Sequence, residues 1–530
     1  MLDLNRLSTA IRRENGLSRR LFLAYGAALS SLPLLADHTA AASRRRISFA
    51  ANPFSLGVAS GDPTPDGVVL WTKLAPKPLE SQGGLPAEAI EVQWEVARDE
   101  ALKDVVQRGK VLATPELGHS VHIEVEGLQS DRWYWFRFHA GDATSPIGRT
   151  RTLPAAAVMP EKLRFAFASC QHYEQGYFTA YDQMAKDELD LVVHLGDYIY
   201  EYAGKDRLVR KHQGGKIKSL EDYRIRHNQY RTDASLSNMH AQCPWIVTWD
   251  DHEFENNYAN DIPEKVGTSA ADFLAQRASA YQAYYEMMPL RRESVPQGPN
   301  MQLYRKAAFG RLAEFLVLDT RQYRSDQPNG DGMKELNAAA LDPKQTLLGK
   351  QQYDWLKSSL QASQGTWNIL AQQVMMGMVD LSPGDAAKYW MDQWPGYAHE
   401  RIDLVKFLGD RKISNPVVLT GDIHSNWVND LRVDDRRTET PVIATEFVGT
   451  SISSGGKPKG NDKLLEPLLA ENPCVKFCNR DRGYVRCTVT SQEWRSDYVV
   501  IEDVTKPSGV PAVNRAAFVV EAGQAGAHRA

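Results

Sequence analysis

The sequence predicts an α/β fold preceded by an all-β domain, and three observations carry the prediction. From Lys162 onward, short apolar runs alternate with segments of helical period, the pattern of a mainly parallel or mixed sheet with helices against it. From Phe54 to Pro154 the period is two instead, in EVQWEVARD, HSVHIEVEGL and RWYWFRFHAG, with Gly, Pro and Asp between the runs. At 530 residues the chain exceeds one ordinary core, so two domains are expected. The number of strands in the second domain argues for two sheets face to face.

Residues 1–42 read as an address. Leu21 to Ala36 follows Ser18-Arg19-Arg20-Leu21-Phe22-Leu23, and Ala40, Ala41 and Ala42 offer a cleavage site. The segment resembles a twin-arginine export signal, which implies the twin-arginine translocon as an export partner and a periplasmic or secreted mature protein. Cleavage after Ala42 removes five basic and three acidic residues and takes the formal charge from −4 to −6. A mildly acidic chain is a poor general binder of nucleic-acid backbones. No segment reaches the roughly 18 uncharged apolar residues of a membrane span, so no transmembrane anchor is expected in the mature form.

The 54–154 domain suits a sandwich of immunoglobulin or fibronectin type, with Leu128 to Phe138 as one inner strand, and nothing in it looks catalytic. Thr150 to Pro160 reads as the linker to a catalytic domain spanning 162–505. Within that domain, Arg207 to Gln242 is polar and basic and suits excursions over the mouth of a site. SISSGGKPKGND, 451–462, reads as a mobile lid. The Pro, Ala and Gly-rich stretch 506–530 reads as a flexible tail. Cys243, Cys474, Cys478 and Cys487 form an even set that allows disulfides after export. A zinc site at Cys474 and Cys478 is the weaker reading.

The chemistry sits at four strand ends: LRFAFASC to Cys170, LVVHLGDYIY to Asp197 and Tyr200, PWIVTWDDHE to Asp251 and His252, and PVVLTGDIH to Asp422 and His424. In α/β sheets such ends line the ligand crevice. Asp197, Asp251 and Asp422 offer hard oxygen ligands and His424 an imidazole. Cys170 and Tyr200 offer a thiolate and a phenolate, donors that a trivalent iron binds well. Asp197, after a turn-forming Gly, is the best candidate to bridge two metals. Neighbouring cations clamp a phosphate and activate water. No Gly-rich nucleotide fingerprint accompanies the set, so the site reads as hydrolytic.

The blocks SCQ, HLGDYIYE, WDDHE, LDTRQYR, LAQQ and TGDIHSNW, with FSLGVASGDPTPDGVVLWTKL upstream, resemble the alkaline phosphatase D family of calcineurin-like metallophosphoesterases. The resemblance implies a four-layer α/β-β/α sandwich behind a fibronectin-like domain, and a hydrolase of phosphate monoesters and diesters with one Fe3+ and one or two Ca2+. It implies that Cys170, Asp197, Tyr200 and His424 form the iron shell, and that Asp197, Asp251 and Asp422 serve calcium. His252 resembles the residue that donates to the phosphate or protonates the leaving group. Two departures from the wider superfamily favour iron and calcium over a plain di-zinc centre. Cys170 replaces the Asp-x-His block, and Gly421-Asp422-Ile423-His424 replaces Gly-His-x-His. Arg321 suits a fork onto two phosphate oxygens, its alternative being an ion pair with Asp319 or Glu314. Asn257 suits a calcium ligand or a turn. His194 reads as a core histidine, and Tyr389, Trp390 and Trp394 as mouth or loop packing. The rival functions are a phospholipase D-type phosphodiesterase and a non-catalytic surface-binding protein.

Overall fold

The computed structural model describes residues 48–530 except 207, 266, 329, 383, 385 and 457–464. The export signal read at 1–42 therefore lies outside the described residues.

The N-terminal strands are β1 (Val58–Thr64), β2 (Gly67–Lys73), β3 (Ile90–Ala97), β4 (Val105–Ala113), β5 (Ser120–Val125), β6 (Trp133–Ala140), β7 (Ala143–Thr144) and β8 (Gly148–Arg151). Then follow β9 (Leu163–Ala168), β10 (Leu191–Leu195), β11 (Trp245–Thr248), β12 (Arg305–Phe309), β13 (Ala313–Val317), β14 (Met333–Glu335), β15 (Trp367–Ala371), β16 (Lys388–Trp390) and β17 (Pro416–Thr420). The chain finishes with β18 (Asn426–Leu431), β19 (Ala444–Val448), β20 (Val475–Asn479), β21 (Arg482–Val489), β22 (Glu493–Ile501), β23 (Ala512–Glu521) and β24 (His528–Arg529). The helices used below are α1 (Ala180–Met184), α2 (Leu220–Arg231), α3 (Ala234–His240), α4 (Ala270–Met287), α5 (Gly349–Ala362) and α6 (Ala398–Asp410).

Two sheets make the catalytic half. The ten-stranded sheet runs β24-β23-β22-β21-β9-β10-β11-β1-β2-β5, and the seven-stranded one β12-β13-β15-β17-β19-β18-β20. Strand alternation fixes the layers. Phe165, Phe167, Leu191, Val193 and Leu195 face the second sheet's Phe315, Val317, Ile369, Val417 and Leu419. The alternate residues Ala166, Ala168 and Val192 face the side of α1, α2, α3 and α4. On the far side Leu316, Leu370 and Val418 meet α5 and α6 through Leu356, Leu360, Leu404 and Leu408. The order is helix, sheet, sheet, helix, the four-layer α/β-β/α sandwich.

The expected N-terminal sandwich forms, with Val58, Val68 and Leu70 packed on Val92, Phe136 and Phe138. It is not a separate body. One of its sheets is β1-β2-β5, which continues the ten-stranded sheet because β1 pairs in parallel with β11 at Gly61 and Trp245. A Cβ at Gly61 would meet Pro289 and the Trp245 carbonyl at 2.6–2.7 Å, so the junction needs glycine.

The flexible tail expected at 506–530 is corrected by the structure: β23 and β24 extend the edge of the ten-stranded sheet. Phe518 and Val520 join the inter-sheet core with Trp494 and Tyr498. Only the second half of β23 is buried. Its largely exposed first half, Ala512 to Arg515, hides the strand period from the sequence.

Candidate functional site

All four strand ends converge. Cys170 lies two residues past β9, Asp197 and Tyr200 follow β10 through Gly196, Asp250 to His252 follow β11, and Asp422 and His424 follow β17. At Gly196, with φ +103°, a Cβ would stand 2.4 Å from the Asp250 nitrogen, so two ligand-bearing loops close on each other only over glycine. Cys170, Asp197, Asn257, Asp422 and His424 hold φ of +59°, +55°, +47°, +63° and +54°. Left-handed backbone at non-glycine residues costs about 1–3 kcal/mol each and persists where the surroundings over-determine it. At Cys170, Asp197, Asp422 and His424 it accompanies side chains that lie in adjoining groups of donors.

Single donor atoms of Cys170, Asp197 and His424 lie within 4.8 Å of one another, as do those of Asp197, Asp251 and His252, and those of Asp250, Asp251 and Asp422. The three groups share corners at Asp197 and Asp251. The Tyr200 hydroxyl donates to Asp197 Oδ2 at 2.9 Å, lies 3.1 Å from His424 Nε2 and accepts from Ser454 at 2.7 Å. Asp197 Oδ1, Asp251 Oδ1 and Asp250 Oδ2 are buried without a hydrogen bond, as is Arg321 Nη2. Buried carboxylate oxygens left unpaired are costly, and cations placed among them would remove that cost. The residues therefore fit metal ions.

Electrostatics point the same way. Burial, reinforced by the Asp197 charge, holds the Cys170 thiol and the Tyr200 hydroxyl well above their ordinary pKa. Burial also raises Asp197 and Asp422 well above the carboxylate range, with Asp250 and Asp251 adding to it. His424 is pushed down to about 3 by burial and by Arg482. A neutral imidazole is the form that binds metal, and a cation at the site would drive the thiol and phenol to ionise. His252 differs: burial would lower its pKa, but the Asp251, Glu201 and Asp197 charges outweigh it and hold it well above the usual value.

Arg321 does not fork outward. It is wholly buried, with Nε on Asp250 at 2.5 Å and Nη1 on both Asp392 oxygens at 2.9 Å. Its Nη2 stands 3.7 Å from Asp251 and 3.8 Å from Asp422. The side chain pairs with neither Asp319 nor Glu314; Asp319 instead accepts from its backbone N–H. Arg321 is thus the counter-charge beneath the carboxylates. Asn257 forms a turn whose backbone N–H donates to Asp251 at 2.7 Å, and its Nδ2 donates to Asp331 at 3.0 Å. Gln373 is spent on Thr320, Thr248 and Leu318, joining the two sheets.

Several residues escaped the sequence reading. Glu253 accepts from the backbone N–H groups of Asp197, Tyr198 and Asp250 and so ties the β10 and β11 ends together. Glu201 accepts from His252 Nδ1. The HLGDYIYE and WDDHE blocks held both, but their partners are supplied by the fold. The lid expected at 451–462 is corrected in its first part: Ser451 to Ser454 is buried and threads beside Cys170, with Ser454 Oγ 2.7 Å from the Cys170 carbonyl oxygen. Residues 457–462 lie outside the described residues. Of the three mouth aromatics, Trp390 is exposed while Tyr389 and Trp394 are buried. His194 is a core histidine stacked on Trp245. The described residues contain no disulfide bond, and none of their metal-ligand groups includes Cys474 or Cys478.

The model of the PhoD-like phosphatase matches residues 165–498, and that of the PhoD-like phosphatase N-terminal domain matches 39–154. The chain belongs to the PhoD-like phosphatase family. Alkaline phosphatase D of Bacillus subtilis (strain 168) is 50% identical over 483 residues, 90% of this chain and 82% of that protein. A solved structure described as "Structure of PhoD" superposes with a TM-score of 0.88 at 50% identity, covering 91% of this chain and 93% of that one. This member of the PhoD-like family is accordingly a phosphatase, a hydrolase acting on a phosphoester. Its buried carboxylate, imidazole and thiol donors form groups of a kind that can hold metal ions. Among the described residues no helix is long and apolar enough to cross a membrane.

Proposed function

We propose that this protein is an exported, metal-dependent phosphoesterase that hydrolyses phosphate monoesters and diesters with one iron and one or two calcium ions. The observation that carries the reading is the shared corner at Asp197, which belongs both to the Cys170 and His424 group and to the Asp251 and His252 group. Cys170, Asp197, Tyr200 and His424 would hold the iron. Asp197, Asp251, Asp422 and the amide oxygen of Asn257 would hold calcium, an ion that takes several oxygen ligands. Bound there, such cations supply Lewis acidity to phosphoryl oxygens and ease deprotonation of water.

The chain's own residues do the rest. His252 faces the carboxylates with one proton to give to a phosphoryl or leaving oxygen. Arg321 offsets carboxylate charge from below, so that the anionic substrate meets less repulsion. Tyr200 and Ser454 hold the Asp197 and His424 ends in register. Export rests on the resemblance of residues 1–42 to a twin-arginine signal, which supports a working enzyme in the periplasm or outside the cell.

A phosphodiesterase of lipid headgroups is the second reading. One observation favours it: exposed Trp390 pairs with exposed Met333 across β14 and β16, two residues from Asp392 and Asp331 respectively. The test is hydrolysis of a chromogenic monoester, a chromogenic diester and phosphatidylcholine vesicles by the exported protein, with and without a calcium chelator. Turnover of both soluble esters, lost on chelation, supports the first reading. Turnover of vesicles alone would replace it with the second, and metal-replete protein inert toward all three would refute both.

A further inference from the structure

We propose that Trp390 and Met333 form a subsite for the organic group of the ester, a shelf sized for one flat ring, so that the enzyme favours esters whose alcohol carries an aromatic ring close to the phosphate. The inference rests on the phosphoesterase reading above and names the kind of ester it takes.

The two-stranded ribbon of β14 and β16 has two unlike faces. Met333 stands opposite Trp390, Lys334 opposite Tyr389 and Glu335 opposite Lys388. The Met391 N–H donates to the Gly332 carbonyl at 3.0 Å, which carries the pairing one step further, toward Asp331 and Asp392. Side chains alternate along a strand, so Tyr389 and Met391 share one face while Trp390, Met333, Asp392 and Asp331 share the other. The first face is buried in a cluster with Ala340 and Met378. The second runs down to the donor groups. Asp392 accepts from Arg321 at 2.9 Å and from Arg324 at 2.6 Å. Asp331 accepts from Asn257 Nδ2 at 3.0 Å, and the Asn257 backbone N–H donates to Asp251 at 2.7 Å. Trp390 and Met333 therefore stand two residues of strand, roughly 7 Å, outward from the pair of acids that touches the site.

Exposure and size define the occupant. Trp390 is 39% exposed and Met333 41%, whereas the neighbouring Tyr389 and Trp394 are buried. An indole held open beside a reaction centre offers a face on which a second ring stacks, and a thioether at its edge adds a polarisable contact. The next pair outward, Glu335 and Lys388, is charged, so the apolar strip ends after one rung. One indole and one thioether match a single ring. They fall short of the few hundred Å² of contiguous apolar surface that marks a membrane-docking face. The shelf thus fits an aryl group joined to phosphate through a short link.

Phosphonates test this apart from the chemistry, because their substituent is joined to phosphorus by a carbon bond that the enzyme does not cleave. Full-length, metal-loaded wild type, Trp390→Ala, Met333→Ala and Trp390→Phe are titrated with phenylphosphonate and with methylphosphonate against hydrolysis of a chromogenic monoester. In wild type the phenyl compound is expected to bind on the order of tenfold more tightly, the yield of burying part of one ring. The ratio of the two inhibition constants should fall below about threefold in Trp390→Ala and part-way in Met333→Ala, and should be largely kept in Trp390→Phe, which retains a ring. A ratio is blind to loss of folded enzyme, so a merely structural Trp390 would leave it where it was. A wild-type ratio near one, or a ratio indifferent to Trp390→Ala, would overturn the proposal. So would a Trp390→Ala variant that keeps the ratio but loses turnover of phosphatidylcholine vesicles, which would assign the pair to a lipid surface. A metal-loaded wild type that hydrolyses neither monoester nor diester would instead overturn the phosphoesterase reading beneath it.

Discussion

Replacing Asp197 by Asn probes the shared corner without disturbing the fold. Asn fits the left-handed backbone at φ +55° and leaves the Tyr200 hydroxyl an oxygen to donate to. It removes a buried charge that burial and neighbouring carboxylates disfavour. The metal-free variant should therefore be at least as stable as metal-free wild type at pH 7. With metal the order reverses. At a free-ion concentration 100 times Kd, each bound cation stabilises wild type by about 2.7 kcal/mol. A hundredfold weaker site at the same concentration contributes only about 0.4 kcal/mol. Two cations that both depend on Asp197 then give a metal-induced gain of about 5 kcal/mol in wild type and about 1 kcal/mol in the variant. At no more than about 2 °C per kcal/mol for a chain of this size, the Tm shifts are about 10 °C and about 2 °C. Scanning calorimetry of chelated and reloaded protein reads both numbers. A full metal-induced shift in Asp197→Asn would refute the shared corner, and a collapse of the metal-free variant would show that the carboxylate is structural.

Three further outcomes follow from the packing. Arg321→Met should destabilise by about 3–5 kcal/mol, because Asp250 loses its cation in a buried setting, and Arg321→Lys should not restore it; unchanged denaturant midpoints with only a raised KM would return Arg321 to a phosphate-binding role. Lys73 is buried with its Nζ 3.6 Å from Met287 Sδ, while nearby Glu286 is already paired with Arg224 at 2.6 Å. Burial foremost pulls its pKa from 10.5 down to about 8, so its cost is full below pH 8 and fades toward 10.5. Lys73→Met should thus be the more stable protein at pH 7, by about 3 kcal/mol, and lose that advantage by pH 10.5; a less stable Lys73→Met at pH 7 contradicts this. Truncation after Thr505 removes Phe518 and Val520 from the inter-sheet core and should cost roughly 3–6 kcal/mol in urea unfolding. A truncated chain as stable as the whole would mean that β23 is dispensable.

The strand ends were legible because each couples an apolar run to polar residues of one chemical kind, and both signals are local. Cys170, Asp197, Asp251, Asp422 and His424 could be read for that reason, and the structure brings all five together. What stayed hidden depends on distant partners. Arg321 ends a strand as a phosphate fork would, yet Asp250 and Asp392, each 71 residues away in sequence, take its nitrogens. Glu201 and Glu253 sit inside the quoted blocks, but nothing in their spacing tells a loop staple from a solvated acid. The shared sheet of the N-terminal sandwich was hidden too, since the pairing of Gly61 with Trp245 spans almost two hundred residues. The tail misled because half of β23 is exposed and carries no period.

In the proposed function Cys170, Tyr200, Asp197 and His424 hold an iron beside calcium-binding aspartates. Elemental analysis with a visible spectrum, on wild type and on Cys170→Ser and Tyr200→Phe exported through their own signal, tests it most directly. One iron per chain with a thiolate or phenolate charge-transfer band, calcium removable by chelation, and a band shifted or lost in the variants is the expected result. Zinc or manganese in place of iron, or a band indifferent to both substitutions, would contradict it.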